Sequence, residues 1–99
     1  MNIIKETGKF KTWLSGLKDQ RARSRIVVRI ARAKQGNFGD CEPVGDGVSE
    51  MRITYGPGYR IYYAREGGVS FLLLCGGDKS SQVRDIQAAK EMWQQLKKK

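Results

Sequence analysis

A chain of 99 residues has room for one hydrophobic core, and a hydrophobic fraction of 39% argues for a folded domain and against disorder. No apolar run approaches the roughly 20 residues of a membrane span, and MNIIKETGKF lacks the long apolar region of a signal peptide. We therefore expect a single domain over residues 1–99, cytoplasmic and without a membrane partner.

Nineteen Lys and Arg against ten Asp and Glu give +9, concentrated at the two ends: +8 over residues 1–35, −3 over 36–78 and +4 over 79–99. Basic ends of this kind attract a polyanion or an acidic protein segment. The first element expected is a short strand around Ile3 and Ile4. Thr7 is placed as an N-cap, and Phe10, Trp13, Leu14 and Leu17 follow as the apolar stripe of a short helix. Asp19 suits the N-cap of a second helix that runs to about Gln35 and stops at Gly36. On that helix Ala22, Ile26, Ile30 and Ala33 form an apolar arc, with Arg21, Arg25, Arg29 and Arg32 as a basic arc beside it. The basic arc is either a solvated face or a surface that tracks RNA phosphates.

GNFGDCEPVGDG, from Gly36 to Gly47, has no periodicity and reads as a loop. Three strand-like runs follow. Met51, Ile53 and Tyr55 alternate with Glu50, Arg52 and Thr54, and Tyr59, Ile61 and Tyr63 return after Gly56-Pro57-Gly58. Beyond a turn at Glu66-Gly67-Gly68, Val69 to Cys75 is apolar at nearly every position, as in a strand covered on both faces. Gly76-Gly77 reads as the exit from that strand, and Asp78, Ser80 or Ser81 as the cap of a last helix. There Ile86, Ala89, Trp93 and Leu96 face the core, and Lys97-Lys98-Lys99 trails into solvent. The fold class is α+β: a mainly antiparallel sheet, with two N-terminal helices packed on one face, a C-terminal helix, and the other face left available.

The chain contains no histidine, which excludes Ser-His-Asp and Cys-His catalysis and histidine-based zinc sites. Gly76-Gly77-Asp78-Lys79-Ser80 lacks the glycine spacing of a phosphate-binding loop. Cys41 and Cys75 show no metal-ligand spacing and no disulfide framework, and no cofactor or metal is expected. If the first two runs pair, Glu50, Arg52, Arg60 and Tyr62 share a sheet face, with Lys79 near the end of the last strand. Arginines aimed at a phosphodiester would stabilise the charge that builds up when a 2′-hydroxyl attacks it. In that scheme Glu50 accepts the proton, and Tyr62 or Lys79 positions groups or protonates the leaving oxygen. The same set also reads as a salt-bridge pair and a covering tyrosine on a wet sheet face.

GVSEMRITYGPGYRIYY, FLLLCGGDKSSQ and DIQAAKEMW, with FKTWLSGLKDQRARSRIVVRI and QGNFGD upstream, together resemble the addiction-module killer proteins. These form a phage-derived, HigB-like branch of the RelE/ParE toxin superfamily. The resemblance spans nearly the whole chain. It implies a RelE-like fold and the toxin of a type II toxin–antitoxin system. Its partners would be a cognate antitoxin with a helix-turn-helix domain, the ribosome and messenger RNA, with operator DNA reached only through the antitoxin complex. The implied activity is metal-independent, ribosome-dependent cleavage of messenger RNA that inhibits translation. Glu50, Arg52, Arg60, Tyr62 and Lys79 match the family's functional strand positions, Arg60 in GYRIYY most closely. Relatives that use a C-terminal histidine or tyrosine differ from this chain, whose last helix has neither. ParE-type members inhibit DNA gyrase and cut nothing, and a decayed toxin that only binds its antitoxin is a further alternative.

Overall fold

The computed structural model describes residues 1–98, as an α+β domain built on one mixed five-stranded sheet with three helices. The strands are β1 (Ile3–Glu6), β2 (Cys41–Gly45), β3 (Val48–Ile53), β4 (Tyr59–Gly67) and β5 (Ser70–Asp78), in the order β1-β5-β4-β3-β2. All neighbours pair antiparallel except β1 with β5, which is parallel. The helices are α1 (Gly8–Gly16), α2 (Gln20–Lys34) and α3 (Gln82–Lys97), the last preceded by a 3₁₀ turn at Lys79–Ser81.

Both expected N-caps hold. Thr7 Oγ1 accepts from Phe10 N at 3.0 Å, and Asp19 Oδ1 accepts from Arg21 N and Ala22 N at 2.9 and 3.2 Å. These side chains take up amide donors that the first helical turn cannot pair internally. The apolar arc of α2 is buried as its spacing predicts: Ala22, Ile26, Ile30 and Ala33 pack with Phe10 against Met51, Ile53, Ile61, Tyr63 and Leu73. Cys75 is buried, and burial pushes its thiol up to about 11, so it behaves as an inert core residue. Trp93 is a packing residue, 9% exposed. The helix runs as far as Lys97, one residue into the expected tail; Lys97 and Lys98 are exposed as expected, and Lys99 lies outside the described residues.

Three readings are corrected. The segment from Gly36 to Gly47 is not all loop, because Cys41–Gly45 pairs with β3 through Cys41↔Met51, Glu42↔Glu50 and Pro43↔Ser49. As an edge strand it tolerates Pro43, which a central strand would not, so its Gly and Pro content concealed it. The second sheet face is not left available either. There α3 buries Ala89 and Trp93 against Val48, Tyr62, Ala64, Leu74 and Cys75, so β3, β4 and β5 have helices on both sides.

The third correction concerns Gly76 and Gly77, which continue β5 and are not its exit. A Cβ on Gly76 would lie 2.3–2.5 Å from the Trp13 ring, and one on Gly77 would lie 1.9 Å from Asp85 Oδ2. Small residues let α1 and α3 approach the strand from opposite sides. Trp13 is itself wedged between Phe10 and Tyr59, at ring distances of 5.6 and 6.2 Å, and has little room to yield. Gly76→Ala is therefore expected to cost about 1–3 kcal/mol, as overpacking of a filled core does, read as a lowered urea midpoint at unchanged m.

Candidate functional site

The site begins with register. In the β3–β4 pair Glu50 stands opposite Tyr62 and Arg52 opposite Arg60, which puts all four on one face. On that face the N-terminus of α3 arrives, and it buries half of the set. Glu50 is 1% exposed and Tyr62 is fully buried. Glu50 Oε1 accepts from Gln82 Nε2 at 2.7 Å and from the Tyr62 hydroxyl at 3.2 Å. Burial first, and then the negative charge of Glu50, pushes the Tyr62 phenol well above its ordinary range, so it stays protonated and donates.

The two arginines meet this buried carboxylate differently. Arg60 Nε lies 3.5 Å from Glu50 Oε1 with the side chain 12% exposed, and Nη1 reaches the Gly58 carbonyl at 3.4 Å. Glu50 thus holds Arg60 from behind. Arg52 approaches Glu50 Oε2 only to 3.7 Å, and its fork is taken by two other carboxylates. Asp40 Oδ1 accepts from Nη2 at 2.8 Å and from Nε at 3.2 Å, and Glu42 Oε1 accepts from Nη1 at 2.5 Å. The Arg52 guanidinium holds the Asp40 carboxyl below the usual carboxylate range, and Asp40 and Glu42 in turn raise Arg52. Among the described residues Glu50 Oε2 and Arg60 Nε have no hydrogen-bond partner.

Lys79 is exposed in the 3₁₀ turn. A Cβ placed on Gly58 would stand 3.5 Å from Arg60 Nη1 and 3.6 Å from Lys79 Cβ, so both side chains border this turn. Gly58 has φ +80°, a left-handed conformation that favours glycine. Arg60, Lys79 and the turn thus form a small basic cluster, with Glu50 behind Arg60.

The α2 arginines are not part of it. They line a groove of about 590 Å³ with Val28, Ile53 and Thr54, and α2 packs on the sheet face opposite α3. Arg21, Arg25 and Arg32 are exposed, with Arg25 4.6 Å from the centroid of the Tyr55 ring. Arg29 is structural. It donates to the carbonyls of Arg52, Phe38 (2.9 Å) and Asp40 (3.3 Å), tying α2 to the segment that leads into β2.

Three partners were missed from sequence. Gln82 gave no signal, since a glutamine at a helix start is ordinary. Asp40 and Glu42 did carry one: acidic residues at i and i+2 share a side of an extended chain, a period hidden by the glycines around them.

No family model matches the chain. An uncharacterized protein of Haemophilus influenzae is 52% identical over 93 residues, an alignment that covers 94% of each chain.

Proposed function

Since the chain belongs to one family with that Haemophilus influenzae protein, whose description carries no activity, we propose its function from the site: a type II toxin that cleaves messenger RNA on the ribosome. The observation that carries this reading is Arg60, a guanidinium held from behind by a buried carboxylate beside an exposed lysine. Such a group meets developing phosphate charge without first having to be ordered. In the proposed reaction the 2′-hydroxyl attacks phosphorus, its proton passes to water, and the bond to the 5′ oxygen breaks. Arg60 binds the non-bridging oxygens, and Lys79 protonates the leaving oxygen. Glu50, 1% exposed, acts as a positioning residue and not as the base. Tyr62 and Gln82 hold it in place.

The α2 groove lies across the sheet and cannot share Arg60's phosphate. Arg21, Arg25 and Arg32 there flank Val28, 47% exposed, and Val27, 53% exposed, follows on the adjoining surface with Arg23 and Ser24. Adjacent exposed valines add nothing for a phosphate backbone, whereas an acidic, amphipathic antitoxin segment uses both the charge and the apolar surface. We assign this face to the antitoxin.

The burial of Glu50, which removes the obvious base, favours one second reading, a non-enzymatic gyrase inhibitor. Brief induction without antitoxin, followed by primer extension on abundant messages, separates the two. Codon-phased 5′ ends are expected. Intact messages with double-strand breaks in DNA would replace the nuclease by the gyrase reading.

A further inference from the structure

Arg52 and Arg60 face each other across β3 and β4, yet they are held in unlike ways. Arg60 leans on a carboxylate that is 1% exposed, whereas Arg52 is gripped by Asp40 and Glu42, whose side chains are 53% and 57% exposed. Ion pairs this open to water are individually weak and exchange readily with other anions. Asp40 occupies the Nε and Nη2 edge of the guanidinium, the edge that takes a phosphate in two-point fashion. Glu42 covers the remaining Nη1. The backbone beneath them is fixed, because Arg29 holds the carbonyls of Phe38, Asp40 and Arg52.

We propose that Asp40 and Glu42 are intramolecular competitors of the RNA phosphate at Arg52, so that this arginine joins the Arg60–Lys79 cluster only when a polyanionic strand displaces them. The inference rests on the reading of the Arg60 cluster as a phosphate site. It divides the face into a permanent cation, Arg60, and a conditional one, Arg52. At rest the protein thereby masks one of the two arginines on this face from stray anions. A strand already anchored at Arg60 and Lys79 presents its next phosphate to Arg52 at high local concentration, which a free phosphate does not.

The test is binding of a fluorescent 2′-O-methyl RNA of roughly 12 nucleotides, which spans a single-strand site of ordinary size and cannot be cut by its own 2′-oxygen. Anisotropy is measured over a salt series for the wild type and for Asp40→Asn with Glu42→Gln. Both replacements keep side-chain shape at exposed positions. The double variant is expected to bind about tenfold more tightly at low salt, the scale of two exposed ion pairs. Its salt dependence should steepen by about 0.7 in log–log slope, as one added single-strand phosphate contact requires. Asp46→Asn with Glu91→Gln changes net charge equally at a distance and should gain about twofold or less. Adding Arg52→Ala to the Asp40/Glu42 variant should erase the gain. Equal tightening in the distant control, or a gain that survives Arg52→Ala, overturns the inference and leaves the Arg60 phosphate site standing. Failure of every variant to bind the RNA overturns both.

Discussion

Arg60→Ala is expected to reduce codon-phased message cleavage by about 100- to 1000-fold, the loss that follows removal of one preorganised donor to developing charge. Arg60 is fixed before substrate arrives. Its Nε sits 3.5 Å from Glu50, its Nη1 is near the Gly58 carbonyl, and only 12% of its side chain is exposed. Lysine cannot reproduce this, because a single ammonium cannot both rest on Glu50 and present a second nitrogen to phosphate. Arg60→Lys should therefore retain the fold, keep the charge and still lose most of the activity. Primer extension after equal induction, with far-UV circular dichroism of both purified variants, makes the comparison. Full cleavage by a folded Arg60→Ala protein would remove Arg60 from the mechanism.

Glu50→Ala should have the largest effect on stability, about 3–5 kcal/mol, because it leaves Arg60 Nε buried without a counter-charge. It also strips the acceptor from the Tyr62 hydroxyl and the Gln82 amide. A loss of that size is a large part of the roughly 5–15 kcal/mol that holds a domain together. Glu50→Gln keeps an acceptor oxygen but loses the charge opposite Arg60, and should fall between. Urea unfolding of the three proteins orders them. If Glu50→Ala unfolds at the wild-type midpoint, the carboxylate is not what anchors the cluster.

Elements whose signal is local were legible in the sequence. Thr7 and Asp19 announce their helices by chemistry that acts within three residues, and the alternation around Met51 and Ile53 places β3. The shared face of Glu50, Arg52, Arg60 and Tyr62 also followed, since period and one turn fix it. What did not follow depends on distant partners. Whether Glu50 is wet or buried is decided by α3, which returns after more than thirty residues to set Gln82 on it. Nor could the fork of Arg52 be assigned while the strand that carries Glu42 looked like a loop. Gly76-Gly77 misled for a related reason: glycine marks a turn and a close approach alike, and only Trp13 and Asp85 tell them apart.

Opposite Tyr62 and Tyr63, β5 carries one residue more than the ladder needs: Tyr62 pairs with Cys75 and Tyr63 with Leu73, which leaves Leu74 between them. Leu74 and Cys75 both pack on the α3 side, while Leu73 and Gly76 face α1 and α2. Leu74 is therefore the place in β5 where a one-residue gap in an alignment would leave every later side chain on its own face. Such a shortened relative would still lose something specific, because Thr7, which caps α1, also donates its hydroxyl to the Leu74 carbonyl at 2.7 Å. Length at position 74 and hydroxyl chemistry at position 7 should accordingly change together when related chains are compared.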